Sequence, residues 1–415
     1  MTGVSRRDFV ILSAAAAGLD AVLSPFARAA LANPAEEPQI HGTCDPAFGQ
    51  VKDVFAENFR SRGELGAAVC VYKDGEKVVD LWGGVADRAT GRPWQQDTIV
   101  FMASVYKSIS ALCVLMLVDR GKIDLEAPVA RYWPEFAQAG KDKISVRTLL
   151  SAQAGVIYAD AAPDGAMLDW DVMIDALAQQ APAWEPGTKG GYHSMSCGFL
   201  LGELVRRVDG RMVGAFLAEE IAGPLGADYK MGLSTHDMSR AVSLIPNPES
   251  VTLNQIADPT TKMGRAWRVR PKDPDYQNTA MYRRGTRLSG NGYGNAGGVA
   301  RIYAALANGG SLDGVHLVSP ELIEIARTES WRGICEMTGR PFRYGVGFFL
   351  NYPPLMPFGS NNRAFGHPGA GGAIGIADPE ARMSFSYSPN LMCAGAGVGD
   401  RCEALVAAAL GTLRS

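Results

Sequence analysis

Thr98-Ile-Val-Phe-Met-Ala-Ser-Val-Tyr-Lys107, running on into Ser108-Ile-Ser-Ala-Leu-Cys-Val-Leu-Met-Leu-Val118, is the stretch on which the reading of the fold turns. Between Ile109 and Val118 almost nothing is polar, so a helix here has no face to offer water and is expected to run through the core. Lys107 follows Ser104 by three positions, which stacks hydroxyl and amine on one side of the first turn. A lysine held there out of water loses its preference for the charged form, and a neutral amine accepts a proton from a serine hydroxyl. The helix N-terminus adds free N–H groups and the positive end of the dipole, both suited to an oxyanion. Taken alone, Ser-x-x-Lys more often describes a capping serine beside a surface lysine. Partners elsewhere in the chain have to decide.

At 415 residues the chain is long enough for a large core and two subdomains. A net charge of -3 with 20% charged residues gives no electrostatic case for binding nucleic acid. Beyond the N-terminus no apolar run approaches the ~20 residues of a membrane span. The first residues follow another logic: Ser5-Arg-Arg-Asp-Phe-Val-Ile-Leu12 places paired arginines before an alanine-rich run, and Ala27-Arg-Ala29 and Ala30-Leu-Ala32 fit small-residue cleavage sites. This resembles a twin-arginine export signal over residues 1–32, which implies a periplasmic or secreted bacterial protein whose mature part is 33–415. An amphipathic arm of the mature fold is the alternative. The seven cysteines include no C-x-x-C pair and the five histidines no H-E-x-x-H, so neither a disulfide framework nor a metal site is indicated.

Working outward, Pro46 to Arg62 has helical spacing. Ala67–Tyr72 and Lys77–Trp82 flank Asp74-Gly75, a strong hairpin signal. From about 121 to 289 the pattern is mostly helical, with Val146–Leu150, Trp170–Leu177 and Ser196–Val208 as clear pieces. Within it, 246–287 is polar and rich in Pro, Asn and Arg, with Trp267, Tyr276 and Tyr282 interspersed. Such a stretch is either a surface insertion or a lid. Val299–Leu306 is helical. Tyr344–Asn351, Ala373–Ala377 and Met383–Tyr387 read as strands, and Asp400–Leu413 as a closing helix. The simplest assembly is an α/β fold of the α+β type. It pairs the N-terminal hairpin with the C-terminal strands in one antiparallel sheet flanked by helices, built from about 46–120 and 290–415 around the helical insertion.

Three short pieces stand in chain order: Ser104-Val-Tyr-Lys107, Tyr192-His-Ser194, and His367-Pro-Gly369 with Ala370-Gly-Gly372. Together they resemble the penicillin-recognising serine hydrolases, marked by S-x-x-K, Y-x-N or Y-x-S, and K-T-G or H-x-G. Leu81-Trp-Gly-Gly84, Glu185-Pro-Gly187 and Gly198-Phe-Leu-Leu-Gly-Glu-Leu204 extend the likeness, and the whole is most similar to the class C β-lactamase-like esterases called family VIII carboxylesterases. The resemblance implies a β-lactamase/transpeptidase-like fold in which Ser104 is the acylated nucleophile, Lys107 its proton-relay partner and Tyr192 the base. A free phenol titrates near 10, so a tyrosine base needs a cation beside it, and Lys107 is the obvious one. Ser104 and Ala370 are expected to supply the oxyanion-hole N–H groups. Ser194, His367 and Gly369 are expected at the substrate, Ser194 alternatively as a hydrogen-bond partner of Lys107. His367 replaces a lysine that binds substrate carboxylates in β-lactamases and transpeptidases, which shifts the expectation towards neutral esters. A strand-end histidine held for structure is the other reading.

The expected activity is therefore hydrolysis of short to medium acyl esters through a Ser104 acyl-enzyme, with no cofactor, no metal and a small-molecule ester as the one implied partner. A β-lactamase or D,D-peptidase, an acyltransferase using the same intermediate, and a non-catalytic binding protein on this fold remain as alternatives. No G-x-S-x-G elbow is present, which disfavours the α/β-hydrolase fold. Oligomeric state is not legible.

Overall fold

The computed structural model describes residues 39–395 and 397–413. The export-signal reading of 1–32 lies outside them. Nine strands of the main sheet, all paired antiparallel, are β1 (Ile40–Cys44), β2 (Gly66–Lys73), β3 (Glu76–Asp87), β4 (Trp331–Ile334), β5 (Pro341–Tyr344), β6 (Phe349–Leu350), β7 (Phe365–Pro368), β8 (Ile374–Asp378) and β9 (Met383–Pro389). Their order is β1-β3-β2-β9-β8-β7-β6-β5-β4, with Arg92–Pro93 paired to β3. The N-terminal hairpin thus joins the C-terminal strands through β2 and β9, in the register Tyr387↔Val69.

Helices cover both faces. Ser384 on β9 donates its hydroxyl to Ala300 O of α4 (Ala296–Ala307) at 2.7 Å. Tyr387, an odd number of residues further on and so on the opposite face, donates to Glu64, which Arg401 of α5 (Gly399–Gly411) also contacts at 2.6 Å. α1 (Gly49–Ser61) packs on α5, with Asn58 Nδ2 donating to Arg401 O at 3.2 Å. The helix α2 (Val105–Asp119) is buried at every position from Val105 to Leu117, as its lack of a polar face required. It lies against α3 (Cys197–Asp209) and β7. Among the described residues no helix is long and apolar enough to cross a membrane, and all seven cysteines are free.

Several elements differ from the sequence reading. Tyr344–Asn351 is not one strand: the chain reverses at Gly345-Val-Gly347 between β5 and β6. Gly347 sits at φ +87, and a Cβ there would stand 2.6 Å from the Ala111 side chain, so only glycine lets this turn reach α2. β1 and β7 were not legible as strands, β1 for its polar residues and β7 because Pro368 and the following glycines read as loop. The polar stretch 246–287 holds the helices Val251–Ala257, Lys262–Trp267 and Ala280–Arg284, capped by Ser250, Thr261 and Thr279.

Candidate active site

A three-stranded sheet of Val100–Phe101, Gly292–Gly294 and Tyr229–Met231 anchors the chain just ahead of Ser104. Ala103 then takes φ +45, a left-handed conformation costly for a residue with a Cβ, and turns the chain from strand into α2. Ser104 stands at the N-cap but makes no side-chain cap hydrogen bond. Lys107 is 1% exposed, and its Nζ donates to Ser104 Oγ at 2.9 Å. The capping serine with a surface lysine is therefore not what the chain builds.

Tyr192 comes from the loop before α3 and borders the same cleft as Ser104, which acts on its phenol. Lys107 Nζ lies 5.0 Å from the Tyr192 ring centre and 4.5 Å from that of Tyr106. Phe342 and Phe349 pack against the Tyr192 ring, and its backbone N–H donates to Cys335 Sγ at 3.2 Å. Burial lowers the Lys107 ammonium to about 7 and pushes the Tyr192 phenol well above its ordinary value. Both directions favour the neutral pair over ammonium and phenolate, which runs against Tyr192 as the base.

The third motif reaches the nucleophile by close backbone approach. A Cβ on Gly369 would meet Met102 O at 2.6 Å, and Gly369 N–H donates to Ala373 O at 2.6 Å, leaving Ala370 at the tip of the turn. Among the described residues neither the Ser104 nor the Ala370 N–H donates to a protein acceptor, as an oxyanion hole requires. His367 is fully buried, with Nδ1 2.8 Å from Pro368 O. A carbonyl only accepts, so Nδ1 carries the proton and Nε2 is a bare acceptor, which has no partner. Burial, with Lys107 nearby, lowers its pKa to about 3, so the ring is neutral. One nitrogen of His367 thus serves the strand end, while the ring lines the cleft.

Ser194 does not hydrogen-bond Lys107. Its Oγ accepts the indole N–H of Trp267 at 2.9 Å, tying the 246–287 segment to the catalytic loop. The sequence offered the aromatic residues of that segment but no spacing that singled out Trp267, and nothing at all for Cys335. Ser104, Lys107, Tyr192, Ser194, Trp267, His367 and Ala370 border one cleft of about 740 Å³, whose walls include Phe101, Tyr276 and Phe349. No group of His, Cys, Asp and Glu among the described residues is arranged to hold a metal ion.

A serine on a buried helix N-terminus, a low-pKa lysine one turn on and a phenol against both, in a fold of the β-lactamase/transpeptidase type, define the class: a serine hydrolase. The chain belongs to the beta-lactamase family, whose model it matches over residues 51–408. It is 34% identical over 361 residues to the esterase/beta-lactamase LipL of Mycobacterium tuberculosis, covering 85% of this chain and 83% of that protein. Esterase EstB of Burkholderia gladioli is 29% identical over 317 residues, 71% of this chain and 77% of its own. The crystal structure of a family VIII carboxylesterase superposes with a TM-score of 0.81 at 38% identity, covering 90% of this chain and all (100%) of the other.

Proposed function

We propose that this hydrolase is a carboxylesterase in which Lys107, not Tyr192, is the base that activates Ser104. The observation that carries the reading is the 2.9 Å Ser104–Lys107 contact at a lysine whose ammonium form burial has lowered to about 7. Ser104 Oγ transfers its proton to the neutral amine as it bonds to the acyl carbon. The carbonyl oxygen, now negative, is received by the Ser104 and Ala370 N–H groups. As the acyl–oxygen bond to the alcohol breaks, the Tyr192 phenol protonates the leaving alkoxide and recovers its proton from Lys107. Water then attacks the acyl-enzyme by the same relay run in reverse.

Neutral esters fit because the cleft presents a neutral imidazole at 367 where a cationic residue would bind a carboxylate. The aromatic walls and the volume of about 740 Å³ accommodate short to medium acyl chains. β-Lactam turnover is the second reading, supported by the name of LipL, which couples both activities. A missing charged hydrogen bond to the β-lactam carboxylate is worth about 10- to 100-fold. kcat/KM for p-nitrophenyl butyrate should exceed that for nitrocefin by at least this margin, and the reverse ranking would overturn the ester assignment.

The acid limb of the pH–rate profile follows from the same base. Below its pKa Lys107 holds a proton and cannot take one from Ser104, so kcat/KM should rise through about pH 7 and fall about tenfold per pH unit beneath it. A profile with no limb near 7 would overturn Lys107 as the base.

A further inference from the structure

Behind the Ser104–Lys107 pair lies a second cavity of about 10 Å³, room for about one water molecule. Lys107, Tyr192, His193, Cys197 and Tyr344 supply its polar lining. Consecutive side chains of the catalytic loop diverge here: Tyr192 and Ser194 line the substrate cleft, whereas His193 lines only the rear cavity. His193 is 4% exposed, and neither ring nitrogen has a hydrogen-bond partner. The Gly191 carbonyl lies close to the ring without meeting hydrogen-bond geometry. Two orphaned nitrogens at this depth are costly unless something polar reaches them.

Lys107 carries the complementary deficit. Its Nζ makes one hydrogen bond, to Ser104. The titratable groups facing it are Tyr106 on its own helix, Tyr192 and His193 on the loop, Cys197 on α3, Tyr344 on β5 and His367 on β7. None is a carboxylate. Burial keeps the three phenols and the thiol protonated and both imidazoles neutral, so no protein anion offsets an ammonium there. A group that accepts from Lys107 and donates to the bare ring nitrogen of His193 answers both deficits from this one cavity.

We propose that a single ordered water occupies this cavity, accepting an N–H from Lys107 and donating an O–H to a ring nitrogen of His193, and that His193 is thereby a positioning residue for the base. The inference rests on the reading of Lys107 as base and deepens it. A hydrogen bond from an ammonium is stronger than one from an amine, so the water stabilises Lys107 most at the moment it has taken the Ser104 proton. His193, neutral throughout the working range, fixes which way the water's lone pairs point.

A high-resolution crystal structure of the full chain is expected to show one water within hydrogen-bonding distance of both Lys107 Nζ and His193. An empty cavity, or a water touching only one of them, overturns the proposal. His193→Leu removes the acceptor. The acid limb of kcat/KM for p-nitrophenyl butyrate should then move down by about one pH unit, and the plateau should fall about tenfold. In His193→Asn the side-chain carbonyl can take the water's O–H, and the limb should return towards its wild-type position. A lower plateau with an unmoved limb would mark His193 as purely structural and sink the idea. If the leucine variant does not fold, the water in the wild-type map and the limb of the asparagine variant decide. The wild-type limb tests the base assignment independently: a misplaced limb beside a bridging water faults that assignment alone.

Discussion

Ser104→Ala should lower kcat/KM for p-nitrophenyl butyrate by about 10⁴-fold or more, and Lys107→Met should fall into the same range. On the proposed mechanism each removes one half of a single proton transfer: Ser104→Ala the hydroxyl that would be acylated, Lys107→Met the amine that would take its proton, while burial keeps the Tyr192 phenol protonated. Groups that act as a unit do not lose activity additively, so the Ser104→Ala/Lys107→Met double variant should be no slower than Ser104→Ala alone. The result is read by steady-state kinetics on all three variants. Intact mass after fluorophosphonate treatment provides the second measurement, with an adduct expected on the wild type and none on Ser104→Ala. Activity of Ser104→Ala within about tenfold of the wild type, or an adduct that survives the substitution, would place the nucleophile elsewhere.

Arg401→Met should cost the fold about 3–5 kcal/mol. Arg401 and Glu64 form a buried ion pair at 2.6 Å, with side chains 4% and 0% exposed. Tyr387 and the Leu65 N–H also donate to Glu64, and Arg401 donates to Leu391 O at 2.6 Å. The pair thus ties β9, α5 and the segment before β2 into one network. Removing the guanidinium strands a carboxylate in the sheet–helix interface, where burial already raises its pKa. A folded-state carboxyl pKa raised above its unfolded value weakens stability as pH climbs through it and spares stability below the unfolded value. The deficit of the variant should therefore be largest at neutral pH and shrink towards about pH 4, where the carboxyl is protonated in both states. Urea denaturation of wild type and variant at two pH values reads this directly. A loss below about 1 kcal/mol, or one indifferent to pH, would show that Arg401 contributes packing rather than charge compensation.

Neither network could be read in advance in the same way. Ser104 and Lys107 are one helical turn apart, so their meeting follows from local geometry. Glu64 and Arg401 are separated by 337 residues, and no local pattern marks one as the partner of the other. Tyr192, Ala370 and His367 came from the resemblance to a family rather than from periodicity. Their side chains lie on loops and on a strand whose proline and glycines disguised it. Burial bears on the expectation that Tyr192 is the base, because it pushes the phenol up. A cation beside a phenol favours the phenolate, but enclosing both groups penalises both charges, and desolvation is the largest cause acting on each.

The amino-acid sequence by itself determined the elements whose cause is local. These are the all-buried helix after Ser104, the Asp74-Gly75 hairpin, the terminal helices and the order of the three motifs, because apolar period and turn chemistry act over a few residues. Only the tertiary structure decided what surrounds each charge. It set which strands lie side by side, that Trp267 holds Ser194, that Cys335 receives the Tyr192 amide, and that His193 turns away from the substrate towards the rear of Lys107. Proton affinities depend on that surrounding medium, and the medium is assembled from segments hundreds of residues apart. The residues of the chemistry could therefore be named early, but their roles could be assigned only once the chain had closed around them.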